Sequence, residues 1–193
     1  MKLLLHACCA PCMAAAVRRL RGSFRLTAFY CNPNIHPEEE YALRLSEFRR
    51  YAADEDTEIL EAPYEPEKWF RAVKGLEDEK EGGPRCEICF RLRIEETAKK
   101  AKALSIGRIG TTLTAGPRKK ADSINRIGEQ IAEKYDLTFL KEDFKKKDGF
   151  RISLEACRKL NIYRQNYCGC VFSRHRKRVK PDAAQGENGE CAE

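Results

Sequence analysis

Ten cysteines in 193 residues are the part of this chain most able to do chemistry. Cys8, Cys9 and Cys12 fall together in HACCAPC, at a strand-to-helix junction. A thiol at a helix N-terminus is acidified by free N–H groups and the macrodipole. Cys9-Ala-Pro-Cys12 alone resembles a thioredoxin-type dithiol, but Cys8 adds a thiol that a simple switch does not need. Cys86-Glu-Ile-Cys89 opens a long helical pattern, where positions i and i+3 share a face and both sulfurs can reach one metal or cluster. Two CxxC pairs in one cytosolic chain point to zinc in a closed site or to an iron–sulfur cluster, each needing four ligands. Cys168-Gly-Cys170 is a different device. A bond between them needs a tight ring, which Gly permits, and strained disulfides are readily reduced. A redox pair is the preferred reading there, with a further ligand pair as the alternative. Cys31 and Cys157 read as packing residues, and Cys191 as a bystander in an acidic tail.

The chain is long enough for one domain with a real core. It is 42% hydrophobic and 35% charged. No apolar run approaches the ~20 residues needed to cross a bilayer, and the three leucines after Lys2 are too few for a secretory signal. Membrane and export roles are excluded on this reading, and a cytoplasmic location is expected. A disulfide-stapled secreted fold is equally disfavoured.

The elements that must position these thiols alternate. Strands are expected at 2–6, 26–31, 58–62, 106–112 and 137–141. Helices are expected at 13–21, 38–53, 66–74, 86–104, 119–135 and 152–160. This is the pattern of an α/β fold with a mostly parallel central sheet, flanking helices and right-handed crossovers. Ligands in such sheets bind beyond the carboxyl ends of the strands. HACCAPC, CNPNIHP and TTLTAGPRKK each follow a strand and so fall on that edge. Residues 1–180 are expected to form a single α/β domain ending in a short basic segment with Cys, and 181–193 a disordered acidic tail.

The formal charge of +7 is unevenly spread. Residues 141–180 carry 13 Lys+Arg against 4 Asp+Glu, and 181–193 carry 4 acids and no base. A local basic excess is an electrostatic footprint for phosphates, with a solvated helix face as the plain alternative.

Taken in order, HACCAPC, CNPNIHPEEEYALR, CEICFRLRIEETA, TTLT, EDFKKKDGF and IYRQNYCGCVFS resemble the cobalamin-independent epoxyqueuosine reductases, the QueH type, over roughly residues 3–173. The chain departs from that pattern at Cys31, where a non-Cys residue is usual, at AGPRKK after TTLT, and at DFKKKDGF. The resemblance implies an adenine-nucleotide-hydrolase-like three-layer fold and reduction of epoxyqueuosine at the wobble position of a tRNA to the cyclopentene of queuosine. It implies a 4Fe–4S cluster on Cys8, Cys9, Cys86 and Cys89, an adjacent mononuclear iron, and a redox-active pair at Cys168 and Cys170.

Turning an epoxide into an alkene consumes two electrons and two protons, and side chains alone do not supply electrons at the potential required. An external electron donor, of unidentified kind, is therefore a partner alongside the tRNA. Cys12 is the spare thiol best placed to hold the second iron. His36 is a candidate proton donor. Glu40, Tyr41 and Arg44 are candidate substrate contacts, with 36, 40 and 44 on one helical face, although Glu40 and Arg44 would also suit an ordinary i,i+4 pair on an exposed helix. Arg93, Arg164, Lys119 and Lys120 are candidate phosphate or ribose contacts, with simple pairing to acids as the plain alternative. Arg174, Arg176, Lys177 and Arg178 would hold RNA phosphates beside the Cys pair. The competing readings are a thioredoxin-like thiol oxidoreductase and a zinc-stabilised RNA-binding module.

Overall fold

Leu3, Leu4 and Leu5 are all fully buried, which is what a strand covered on both faces requires. They form β1 (Lys2–His6), the middle of an all-parallel sheet in the computed structural model, which describes residues 1–174. β2 (Arg25–Tyr30), β3 (Glu58–Glu61), β4 (Arg108–Thr111) and β5 (Thr138–Phe139) complete it in the order β3-β2-β1-β4-β5. β1 pairs with β2 through Leu3 opposite Leu26 and with β4 through Leu4 opposite Ile109.

Side chains of β1 alternate between two helical layers. Leu4 packs with residues of α4 (Pro84–Ala103) and α5 (Ala121–Lys134). Leu3 and Leu5 face Ala15, Ala16 and Leu20 of α1 (Ala10–Leu20), together with Phe144. On that side α1 also packs against α2 (Glu38–Asp54) and α6 (Gly149–Lys159). The small residues Ala14, Ala15 and Ala16 are all buried and let α1 lie close to its neighbours. α3 (Pro66–Ala72) and α7 (Val171–Arg174) are short and sit at the sheet edge that carries the thiols. None of the described helices is long and apolar enough to cross a membrane.

The expected α/β architecture and its parallel sheet are present. The boundaries differ where tertiary contacts override propensity. The fourth strand ends at Thr111, and Thr112–Ala115 turns into a 3-10 helix capped by the Thr111 hydroxyl. β2 stops at Tyr30, leaving Cys31 just beyond it. The helix expected at 152–160 begins earlier, at Gly149, a position where a Cβ would stand 1.7 Å from the Phe144 carbonyl oxygen, and a short further helix, α7, follows it. The expected tail at 181–193 and the residues Arg176, Lys177, Arg178 and Cys191 lie outside the described residues.

In this strand order the chain leaves β1 toward one side of the sheet and returns to β4 on the other. The crevice between the carboxyl ends of β1 and β4 is therefore the topological switch point, where ligands bind in open α/β sheets.

Gly128 sets how closely α5 approaches the sheet, since a Cβ there would lie 2.2 Å from Cζ of Phe139. Gly128→Ala should lower stability by roughly 1–3 kcal/mol through overpacking. Urea denaturation checks this, with a fallen midpoint and an unchanged slope expected; equal midpoints would mean that the Phe139 ring swings aside freely.

Candidate thiol site at the carboxyl edge of the sheet

β1 delivers its chain directly into the switch-point crevice. Cys9 is the N-cap residue of α1, with Pro11 in the first turn and no side chain capping the free N–H groups. A helix start without a Ser or Asp cap favours negative charge on nearby sulfur. The sulfurs of Cys8, Cys9 and Cys12 all lie within 4.8 Å of one another. Cys8 and Cys9 sulfurs are 3.9 Å apart.

One charge is shared by this trio. Hydrogen bonds from the Cys12 and Cys9 thiols, with Arg93 and the Thr112 hydroxyl assisting against burial, hold the Cys8 thiol well below its usual range. Cys12 donates to Cys8 and Cys9 and is pushed well above that range. Cys9 gains from Cys12, but its bond to Cys8 and its burial outweigh that gain and raise it to about 12. Cys8 is thus the most acidic thiol of the group. Thr112 fixes it twice: its oxygen accepts from the Cys8 N–H at 3.1 Å and its hydroxyl donates to the Cys8 sulfur at 3.4 Å. Gln165 donates from Nε2 to the Cys9 sulfur at 2.9 Å.

Arg93 is only 3% exposed. Its guanidinium donates to Oδ1 of Asn32, lies 4.0 Å from the Cys89 sulfur and interacts electrostatically with Cys8 and Cys31. Asn32 is held in turn by donating to the Ala7 carbonyl at 2.9 Å. Arg93 therefore stands between the thiols of β1 and those of α4. Cys86 and Cys89 occupy the first turns of α4, and Cys86 accepts from the Gly82 N–H at 3.2 Å. Cys86, Cys31 and Cys8 belong to one packed cluster. Lys119 is a second, half-buried cation, with its ammonium 5.1 Å from the Phe90 ring centre and charged interactions with Cys168, Cys86 and Cys89.

Beneath the trio His6 is fully buried. Its Nε2 donates to the Cys31 carbonyl at 3.2 Å, so Nδ1 accepts from Thr111 at 2.9 Å. Burial, with Arg93 adding to it, pulls its pKa down to about 3, and the ring is neutral at pH 7.

Cys168 and Cys170 are free thiols on a turn whose Gly169 has φ +103, a backbone state that disfavours a side chain. A Cβ at Gly169 would also stand 2.8 Å from Ile35 Cγ1 and 3.1 Å from Arg44 Nη1. The Cys170 thiol donates to Cys168, which with Lys119 holds Cys168 well below the ordinary thiol range; Cys170 is pushed up by the same bond and by burial. Arg44 anchors the turn. It is 2% exposed, donates from Nε to Glu40 at 2.6 Å and from Nη2 to the Tyr167 carbonyl at 3.2 Å, and lies 5.0 Å from the Tyr167 ring centre. Tyr163 donates to both oxygens of Glu40, at 3.2 and 3.1 Å.

The Glu40–Arg44 pair is therefore a buried brace, and the exposed-pair expectation is corrected. Tyr41 is likewise buried, stacked on Tyr64 at 4.0 Å between ring centres. His36 does not share the α2 face, because the helix begins only at Glu38. It packs on Phe70 and Trp69 behind the Cys pair, its N–H donating to the Gly169 carbonyl at 2.9 Å. Burial lowers its pKa, and its ring does not line the cavity described next. Arg93 and Lys119, expected to meet phosphates, face sulfur.

A cavity of about 190 Å³ opens between these groups, lined by Cys8, Cys12 and Cys168, by Arg93 and Lys119, and at its mouth by Phe150 and Arg164. One thiolate of the trio and one of the Cys pair thus meet at a single opening. Sequence reasoning missed the supporting residues Asn32, Thr112 and Gln165; Gln165 was visible only as a polar residue three before Cys168.

Three soft donors converging around one thiolate fit a thiolate-bound metal centre, and a dithiol switch leaves the third unexplained. A four-thiolate cluster needs further sulfur, which α4 supplies beside Arg93. The tight trio contains Cys12 in place of the α4 pair expected to share a cluster with Cys8 and Cys9.

The chain matches the family model described as epoxyqueuosine reductase QueH over residues 3–176. Curated relatives carry the same name. One from Streptococcus pyogenes serotype M1 is 40% identical over 89% of this chain and 69% of its own length. One from Staphylococcus aureus is 40% identical over 89% of this chain and 75% of its own. One from Thermotoga maritima is 37% identical over 92% and 93%.

The depressed Cys168 thiol gives a direct check. Alkylation of Cys168 by iodoacetamide, followed by peptide mapping against pH, should have a midpoint below that of an ordinary thiol. Cys170→Ala should raise that midpoint most and Lys119→Met less, because each removes a group that stabilises the thiolate. A midpoint indifferent to both substitutions would refute the assignment.

Proposed function

The chain belongs to the epoxyqueuosine reductase QueH family, and from that premise we propose that it deoxygenates epoxyqueuosine at the wobble position of tRNA to give queuosine. The observation that carries the reading to particular residues is the meeting of the Cys8 trio and the Cys168 pair across one cavity. Family membership disfavours both the thioredoxin-like and the zinc-module readings.

The overall change is epoxide plus two electrons plus two protons giving alkene plus water. Cys168 and Cys170 are the pair that can supply the electrons: closing from thiolate and thiol to a disulfide releases two electrons and the Cys170 proton, and the second proton comes from solvent. Gly169 allows that closure, and the low-lying Cys168 thiolate makes it the more nucleophilic partner. An external reductant must then reopen the pair. Cys170, a protonated thiol, keeps a proton close to the opening. His36, displaced from the cavity, serves as the wall behind the pair and not as the donor.

Cys8, Cys9, Cys86 and Cys89 are the proposed 4Fe–4S ligands and Cys12 the proposed ligand of an adjacent iron; such a centre supplies single electrons and a Lewis acid for the epoxide oxygen. Arg93 and Lys119 offset the negative charge that thiolates bring into this buried region. Gln165 and Thr112 orient the sulfurs of Cys9 and Cys8. Arg44 lines the cavity and also braces the Cys168–Cys170 turn, and Glu40 acts through that brace.

A tRNA substrate must splay its target base out of the anticodon loop. Arg164 and Arg118 stand at the cavity mouth, and Arg174 follows the Cys pair on α7. Such a reaction belongs in the cytoplasm, where tRNA is processed.

The test is conversion of epoxyqueuosine-containing tRNA by anaerobically purified protein with a chemical reductant, read as loss of one oxygen from the released nucleoside by mass spectrometry. The protein should be brown, absorbing broadly near ~400 nm, with iron and sulfide in the ratio of a cluster. Cys168→Ser and Cys170→Ser should each abolish turnover while leaving the colour. tRNA affinity should drop at least about tenfold between ~50 and ~200 mM salt. A colourless, inactive parent protein would overturn the reading.

A further inference from the structure

Four large hydrophobic side chains are exposed among the described residues: Met1, Leu43, Leu104 and Phe150. Phe150 is the aromatic one, it is 49% exposed, and it alone of the four lines the thiol cavity. The guanidinium of Arg164 lies 5.6 Å from its ring centre. The ring stands in the first turn of α6, whose start is held close to the Phe144 carbonyl because Gly149 leaves no room for a Cβ. Lys146 and Lys147, just before that helix, are exposed. Arg151, by contrast, is taken up by Asp148 and Glu155.

The cavity behind this ring, at about 190 Å³, is smaller than the roughly 300–1,000 Å³ of pockets that bury a whole drug-sized ligand. It can take the cyclopentane end of a modified base, but the rest of the nucleotide and its neighbours must stay at the mouth. A half-exposed aromatic ring beside an arginine and exposed lysines has the chemistry of a single-strand stacking site: a π-face for a base and cations for its phosphates.

We propose that Phe150 is a stacking platform for the base next to the inserted nucleotide, with Arg164 held beside the ring to meet the adjoining backbone. The proposal rests on the tRNA reading above and adds a residue that recognises the loop around the target base. It makes the neighbouring nucleotide part of the recognised ligand, so that binding strength resides in the RNA loop as well as in the modified base.

A double-mutant cycle on binding tests this without turnover. The probe is a synthetic anticodon stem–loop with guanosine at the wobble position, compared with two versions carrying an abasic site on its 5′ or its 3′ side, measured by fluorescence anisotropy at fixed salt. Phe150→Ala should weaken binding of the intact stem–loop by roughly 5- to 150-fold, the range of one base–aromatic stack, and Phe150→Trp should restore it. One of the two abasic probes should bind the parent protein more weakly by a similar factor and bind the Phe150→Ala protein with no further loss. Losses that multiply for both abasic probes, or a Phe150→Ala protein that binds the intact probe like the parent, overturn the platform alone. A parent protein that does not bind the intact stem–loop overturns the platform and the tRNA reading together.

Discussion

Negative charge on half-buried sulfur, at the carboxyl edge of a parallel sheet, is the constraint from which the rest of this molecule is built. A buried thiolate is tolerable only where donors and cations surround it. Cys8 meets that condition through the thiols of Cys9 and Cys12, the Thr112 hydroxyl and the Arg93 guanidinium. Cys168 meets it through the Cys170 thiol and the Lys119 ammonium. Arg93 is buried and Lys119 half-buried, so each depends on the sulfurs as the sulfurs depend on it. Removing either partner would strand a charge, which is why Asn32, with no chemistry of its own, has to hold both the Ala7 carbonyl and Arg93.

The sheet exists to bring these groups to one point. β1 must be buried on both faces so that its end can lie at the switch point, and Leu3 to Leu5 provide that burial. The neighbouring β4 then turns into a 3-10 helix, which puts Thr112 against Cys8. A regular strand continued to Thr112 would not make that contact. The irregular turn is thus the structural counterpart of the thiol site.

Most of the scaffold was legible in the amino-acid order, because apolar runs such as Leu3–Leu5 and punctuation such as Pro84 and Gly83 act locally. The thiols were legible too, since their spacing is local: Cys8, Cys9 and Cys12 meet across one strand-to-helix turn. What could not be read was the burial of charge. Arg44 looked like half of a surface pair until Tyr167, 123 residues away, accepted its hydrogen bond. Arg93 looked like a phosphate contact until Asn32, 61 residues away, closed on it. Helical spacing did hold one clue: Arg93 lies i+4 from Cys89 and i+7 from Cys86, on the face that carries both thiols. His36 was misplaced because helical spacing was carried back past Pro37, the N-cap, to a residue outside the helix, whose ring lies behind the Cys pair.

The Cys168–Gly169–Cys170 turn shows how a reactive element can be mobile in chemistry yet rigid in position. Its backbone is tied at several points, by the His36 N–H to the Gly169 carbonyl, by Arg44 to the Tyr167 carbonyl and by Ser173 to the Cys170 carbonyl at 2.7 Å. Those bonds engage main-chain atoms and leave both sulfurs free to form or break a bond. Glu40 then neutralises Arg44, and Tyr163 supports Glu40, so the brace closes on itself without drawing on the thiols. Electrostatic tuning of the pair comes instead from Lys119, which also lines the cavity, and from the Ser173 hydroxyl, 3.2 Å from the Cys168 sulfur. The Arg44 brace and Lys119 thus divide positioning from activation, while Ser173 takes part in both. A change to the brace moves the turn, whereas a change at Lys119 alters the reactivity of a sulfur that stays where it was.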